Sequence, residues 1–95
     1  GGLVLLTKSM ARDHAGEGIR VNAICPGDVD TPMLAGEAEG SGLSLDEYME
    51  EMNAAVPSGR VADPEDVAAL AVFLAGDAAT HINGTAILVD GAANA

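Results

Sequence analysis

The 95 residues hold one cysteine, no tryptophan, one tyrosine, one phenylalanine and only four lysines and arginines. A lone Cys25 excludes an internal disulfide, and no Cys/His cluster has zinc-ligand spacing, so a reducing, cytoplasmic setting is expected. Fifteen acids against four cations leave a formal net charge of −11. That balance argues against nucleic acid, which needs clustered cations, and against an anionic membrane surface. The apolar runs fall far short of a membrane span, and no basic stretch leads into an apolar one as in a signal peptide. Acidity with so few aromatics would suit a disordered chain, yet 48% of the residues are hydrophobic, which such chains rarely reach. The charge therefore sits on something that folds, as at most one small domain.

Along the chain, Leu3, Leu6 and Met10, with Val4 and Ala11 beside them, predict a helix over 2–14 with this apolar stripe on one face and Lys8 and Arg12 on another. No starting Met and no Ser, Thr, Asp or Asn cap precedes it, so the sequence opens inside an element. Ile19, Val21, Ala23 and Cys25 alternate with Arg20 and Asn22 and predict a strand that becomes fully buried toward Pro26-Gly27. Residues 28–59 carry no Lys or Arg and read as a long, glycine-hinged connection with one short helix, started by the capping box Ser44-Leu45-Asp46-Glu47. Asp63-Pro64-Glu65-Asp66 marks a stronger helix start: Asp63 as N-cap, Pro64 at the first helical position, two acids to meet the dipole. Val67, Leu70, Ala71 and Leu74 recur at helical spacing, and Ala68, Ala69, Val72 and Phe73 fill the rest, so burial on more than one side is expected. Ala86-Ile87-Leu88-Val89 reads as a strand covered on both faces. Two strands joined through helices imply a parallel pair with a right-handed crossover, the unit of an open α/β sheet. Two strands are too few for that architecture, so part of the sheet is missing.

Three segments carry a resemblance. GGLVLLTKSMA, opening the chain, resembles the helix that follows the catalytic Tyr-x-x-x-Lys of the short-chain dehydrogenase/reductase family. IRVNAICPGDVDTPM resembles that family's strand and Pro-Gly loop, and GRVADPEDVAALAVFLAGDAATHINGTAILVDGA resembles its closing helix and last strand. The resemblance implies an α/β fold: the C-terminal portion of a Rossmann-like, doubly wound parallel sheet. Residues 1–95 would then be the C-terminal segment of a single dehydrogenase domain, with 35–57 as its substrate lid. It implies NAD or NADP as cofactor, hydride exchange with an alcohol or carbonyl substrate, and a homo-oligomer, dimer or tetramer, formed through the helix from Val67 to Leu74 and the strand from Ala86 to Val89. The family's Gly-rich turn, its catalytic Ser and its Tyr-x-x-x-Lys are absent from these residues, and Lys8 lies two turns too far along its helix to stand for that Lys. No catalytic residue is therefore assigned, and these residues alone are expected to be inactive.

Ligand sites of open parallel sheets lie at the C-terminal ends of the strands, where Cys25-Pro26-Gly27-Asp28-Val29-Asp30-Thr31-Pro32 falls. By resemblance, Pro26, Gly27, Val29 and Thr31 face the cofactor: Val29 through its backbone to the nicotinamide carboxamide, Thr31 through its hydroxyl to the carboxamide or the pyrophosphate. A plain strand-to-helix turn with Thr31 as N-cap is the alternative. Met33, Leu34, Tyr48, Met49 and Met52 suit a substrate pocket, as flexible apolar groups on a mobile segment, and equally suit core packing of the short helix. Glu37, Glu39, Asp46, Glu47, Glu50 and Glu51 read as a solvated face rather than a selector for a cationic substrate. Asn22 is expected to satisfy neighbouring backbone groups, Cys25 to act as a small apolar residue, and His14 and His81 to sit at a helix end and in a turn. A non-catalytic module, a truncated pseudoenzyme or an acidic protein docking on other subunits, is the competing reading.

Overall fold

The computed structural model describes residues 1–95. Its elements are α1 (Gly2–His14), β1 (Ala23–Pro26), α2 (Pro32–Ser41), α3 (Leu45–Ala55), α4 (Pro64–Ala75) and β2 (Ala86–Val89), with 3₁₀ turns at Ala15–Glu17 and Asp77–Ala79. β1 pairs with β2. The Ala23 amide donates to the Thr85 carbonyl at 2.8 Å, and four residues on along both segments the Gly27 amide donates to the Val89 carbonyl at 3.1 Å. Equal steps in the same direction define a parallel pair, so the expected α/β arrangement of two parallel strands with helices is the one found. Backbone contacts divide the chain into two units, Gly1–Cys25 with Ala68–Leu88, and Pro26–Val67 with Val89–Ala95.

In the first unit α1 has the predicted bounds, but only the Ala11 edge of the predicted stripe turns inward. Thr7 and Ala11, one turn apart, are buried, whereas Leu3, Leu6 and Met10 of the expected core stripe are 68%, 54% and 40% exposed. Size explains the choice: a Cβ built on Gly84 would stand 3.2 Å from the Ala11 Cβ, so the chain passes too close for a leucine. Thr7 satisfies its own hydroxyl by donating to the Leu3 carbonyl at 2.8 Å.

Ahead of β1 one backbone bond, from the Gly84 amide to the Val21 carbonyl at 2.8 Å, is supplemented by side chains. Asn22 donates through Nδ2 to the Ile82 carbonyl at 3.0 Å and accepts from the Thr85 amide at 3.2 Å, and Asn83 Oδ1 accepts from the Val21 amide at 2.9 Å. The predicted strand over 19–25 is thereby shortened to 23–26, because asparagine side chains take positions that backbone groups occupy in a regular ladder. Arg20 reaches the end of α4: Nη1 donates to the carbonyls of Leu74 at 2.6 Å and Ala79 at 2.9 Å, and Nη2 to that of Gly76 at 3.4 Å. A guanidinium fork thus ties the Leu74 carbonyl of the last helical turn, at the negative end of the dipole, to the Gly76 and Ala79 carbonyls of the turn that follows. Burial on several sides of α4 and on both faces of the strands is not what these residues show. In α4 only Leu74 is buried, Val72 and Phe73 are 74% and 46% exposed, and Leu88 of β2 is 54% exposed.

The second unit corrects the reading of 28–59 as a long connection with one helix. Two helices fill it, and Gly36 and Gly40, taken as hinges, lie inside α2. Pro32 at the first helical position starts α2, and Leu34 and Ala38, four residues apart, bury its inner edge. That burial outweighs about 1 kcal/mol of helix propensity lost at each glycine. Capping of α3 is as predicted: Ser44 Oγ accepts from the Glu47 amide at 3.2 Å, and its hydroxyl donates to Glu47 Oε1 at 2.9 Å. Leu34, Val56 and Val61 form a buried cluster with Tyr48, Met49 and Met52 packed on it. At the start of α4 the cap comes from inside the helix, since Asp66 Oδ2 accepts from the Asp63 amide at 2.8 Å and from Arg60 Nη1 at 2.9 Å.

Candidate functional site

The C-terminal end of β1 leads into residues 26–31 of the second unit. Gly27 closes the strand pairing through its amide, and the backbone passes close to Asp90: a Cβ at position 27 would stand 2.9 Å from Asp90 Cβ and 3.3 Å from its Cα. Only glycine fits there without a shift. Beyond it, Val29 makes a single parallel bridge with Ala62, in which the Ala62 amide donates to Asp28 at 3.0 Å and the Asp30 amide donates to Ala62 at 2.8 Å. In such a bridge the central residue's own N–H and C=O point to the opposite edge, and those of Val29 make no hydrogen bond. Thr31 has the backbone of an N-cap, with φ −132° and ψ 167°, but its hydroxyl caps nothing. Its carbonyl accepts from the Leu34 amide at 3.0 Å, and Pro32 removes the next donor.

This stretch presents, within three residues, a donor and an acceptor on one backbone unit and a free hydroxyl. Such a set is complementary to a planar amide, which donates through its nitrogen and accepts through its oxygen. Pro26 is exposed, and Gly27, Val29 and Thr31 are half-buried.

The five residues expected to line a pocket separate. Leu34 is buried in the cluster with Tyr48, Met49 and Met52 half-buried around it, whereas Met33 is 74% exposed and stands apart. Tyr48 donates its hydroxyl to Glu37 Oε2 at 2.9 Å, which links α3 to α2. That hydrogen bond raises the phenol above its ordinary range, with burial and the charges of Glu37, Asp28 and Glu51 acting in the same direction. The Asp66 carboxyl is held below the usual carboxylate range, first by its hydrogen bond to Arg60 and then by the Asp63 amide. His14 faces Glu17 at 3.2 Å at the end of α1, His81 is exposed, and Cys25 is a half-buried free thiol. No group of three or more His, Cys, Asp or Glu is arranged to hold a metal. No helix is long and apolar enough to cross a membrane.

Ala62 and the turn at Asp90-Gly91 were not singled out by sequence reasoning, although both touch the site. A Gly after an apolar strand signals a turn, but nothing local indicates which backbone that turn will meet.

A parallel α/β unit with a free backbone donor and acceptor after its first strand is the arrangement of an open α/β sheet, whose ligand sites lie at the strand ends. The family described as enoyl-(acyl carrier protein) reductase matches residues 1–94. Meso-2,3-butanediol dehydrogenase of Serratia marcescens is 44% identical over the whole chain, and oxidoreductase UcpA of Escherichia coli K12 is 48% identical over 94% of it. Among solved structures, a C-terminal deletion mutant of Thermoplasma acidophilum aldohexose dehydrogenase superposes with a TM-score of 0.91 at 35% identity, covering 98% of this chain and 42% of that one. The chain belongs to the short-chain dehydrogenase/reductase family. It spans about a third of the length of the curated relatives, 35% and 34% of these two.

Proposed function

We propose that residues 1–95 are the C-terminal segment of a Rossmann-fold, NAD- or NADP-dependent dehydrogenase and supply the nicotinamide side of its site, with 35–57 as the substrate lid. The observation that carries this reading is the free N–H and C=O of Val29 beside the uncapped hydroxyl of Thr31, in a chain of this family. A bound nicotinamide would give or take the hydride exchanged with an alcohol or carbonyl carbon. Val29 would hold the carboxamide by one donated and one accepted hydrogen bond and so fix which ring face meets the substrate. Thr31 would add a hydroxyl to the carboxamide or the pyrophosphate, and Gly27 would keep the loop tight against the strand end. Fixed orientation of the reacting ring is where such contacts act on rate.

Met33, exposed and flexible, is our candidate for direct substrate contact, with Leu34, Tyr48, Met49 and Met52 shaping the lid behind it. The catalytic Ser and Tyr-x-x-x-Lys would come from residues ahead of Gly1, and the 95 residues alone would not catalyse. The exposed Val72, Phe73 and Leu88 support a homo-oligomer formed through α4 and β2.

The reading frame around these residues tests the enzyme assignment: a Gly-rich turn and a Ser followed by Tyr-x-x-x-Lys are expected upstream, and a frame lacking them overturns it. In the protein so encoded, Thr31→Val is expected to weaken cofactor binding by about 5- to 10-fold, the loss of roughly one hydrogen bond. Unchanged cofactor affinity would remove Thr31 from the site. Titration of the 95-residue chain with NADH, followed by fluorescence, is expected to show weak binding or none.

A further inference from the structure

The turn after β2 touches two parts of the site at once. On one side Asp90 fills the space beside Gly27, as described above. On the other, a Cβ at Gly91 would fall on Ser58 Oγ and lie 2.7 Å from Val56 Cγ1 and 3.1 Å from Ser58 Cβ. Gly91 also has φ +58°, and its carbonyl accepts from the Ser58 amide at 3.1 Å. Val56 belongs to the buried cluster of the lid, and Ser58 lies in the return from α3 toward Ala62.

The turn is stiff. Asp90 accepts from the amides of Ala92 and Asn94, each at 3.1 Å, and from Asn94 Nδ2 at 3.0 Å, which fixes its carboxylate by three donors. One short rigid segment therefore sets the position of the lid's exit on one side and of the Pro26–Gly27 loop on the other. All of these groups lie in the same compact unit.

We infer that the Asp90-Gly91 turn is a positioning element that holds the α2–α3 lid in register with the cofactor loop, and that Gly91 sets the spacing. The inference rests on the dehydrogenase reading for its effect on substrate but not for its effect on the lid. A side chain at 91 meets both the exposed Ser58 and Val56 Cγ1, so Val56 must shift and with it the lid core, while the Gly27 contact lies on the far side of the turn. Substrate recognition then suffers and cofactor binding does not.

The test uses the full-length protein that carries these residues. Gly91→Ala is expected to raise the substrate KM at least tenfold while the dissociation constant for the reduced cofactor stays within twofold. Ser58→Gly on that background is expected to recover part of the loss by removing the atoms in the way. Amide hydrogen exchange supplies a readout that needs no turnover: in the Gly91→Ala variant exchange at Ser58 and along α3 is expected to quicken at least tenfold, with Gly27 unchanged. Should Gly91→Ala fail to fold, Ser58→Val, which fills the same space from the other side, is expected to give the same KM rise and the same exchange pattern. Unchanged exchange at Ser58 and α3 in the variant that folds overturns the inference, whatever the activity. Equal losses of substrate and cofactor affinity also overturn it. A protein with the expected exchange pattern but no nicotinamide-dependent activity overturns the dehydrogenase reading and leaves the lid contact standing.

Discussion

The two units of the chain are held by different physics. In the second, Leu34, Val56 and Val61 make a small apolar core with Tyr48, Met49 and Met52 around it. In the first, the buried residues are mostly small, Thr7, Ala11, Ala23, Leu74 and Ala79, and order comes from Arg20, Asn22 and Asn83 bonding to backbone. Its larger apolar groups, Leu3, Leu5, Leu6, Val72 and Phe73 among them, face outward. A unit that buries its own large side chains is stabilised by the hydrophobic effect from within. One that turns them outward relies on polar wiring and leaves apolar surface exposed.

That contrast breaks most visibly if a core residue of the second unit matters no more than a surface one. Leu34→Ala is expected to cost about 3 kcal/mol of unfolding free energy in a denaturant titration, from the lost burial plus the cavity. In the first unit the largest effect should come from a polar side chain: Arg20→Ala, which removes one guanidinium donor from each of three carbonyls, is expected to cost about 2 kcal/mol. Arg20→Lys should recover less than half, since an ammonium cannot span the fork. Asn22→Ala follows at about 1 kcal/mol. Val72→Ser, by contrast, should change stability by less than about 0.5 kcal/mol, and any effect should appear as weaker self-association in a sizing experiment.

Titration sharpens the comparison within the second unit. Tyr48 is the single tyrosine of the chain, so its ultraviolet absorbance reports one group. Its phenol is raised by Glu37, so the folded state keeps the proton longer than the unfolded one. The associated stability is present below about pH 10 and is lost as the pH rises through the raised value. Glu37→Gln is expected to lower the midpoint; an unchanged midpoint would show that the α2–α3 link does not persist in solution. For Asp66 the sign is reversed. Its depressed carboxyl contributes stability above about pH 4 that disappears as the pH falls through the folded value, and Arg60→Met should shrink that acid-side loss.

What could be read in advance follows from how local each signal is. The bounds of α1, the Ser44 capping box, the Pro64 start and the Gly76 stop of α4 and the strand over 86–89 all rest on residues within one turn of each other. Asn22 was legible for a similar reason, as a polar group in a strand entry must meet backbone partners. Helix α2 was missed because Gly36 and Gly40 speak locally for hinges, while burial of Leu34 and Ala38, a non-local effect, decides for a helix. The inward face of α1 was misread because periodicity locates a stripe but not the neighbour it meets, and that neighbour is Gly84, far along the chain.

The sequence by itself determined the parallel α/β class, the family and the elements other than α2, because periodicity, caps and short motifs act over a few residues. Tertiary structure alone decided that Val29 keeps a free donor and acceptor through its bridge with Ala62, that Thr31 caps nothing, and that Asp90-Gly91 stands against both Gly27 and the Val56–Ser58 segment. Each of these depends on backbone segments remote in sequence coming within van der Waals or hydrogen-bonding distance, and no local pattern encodes which segment will arrive.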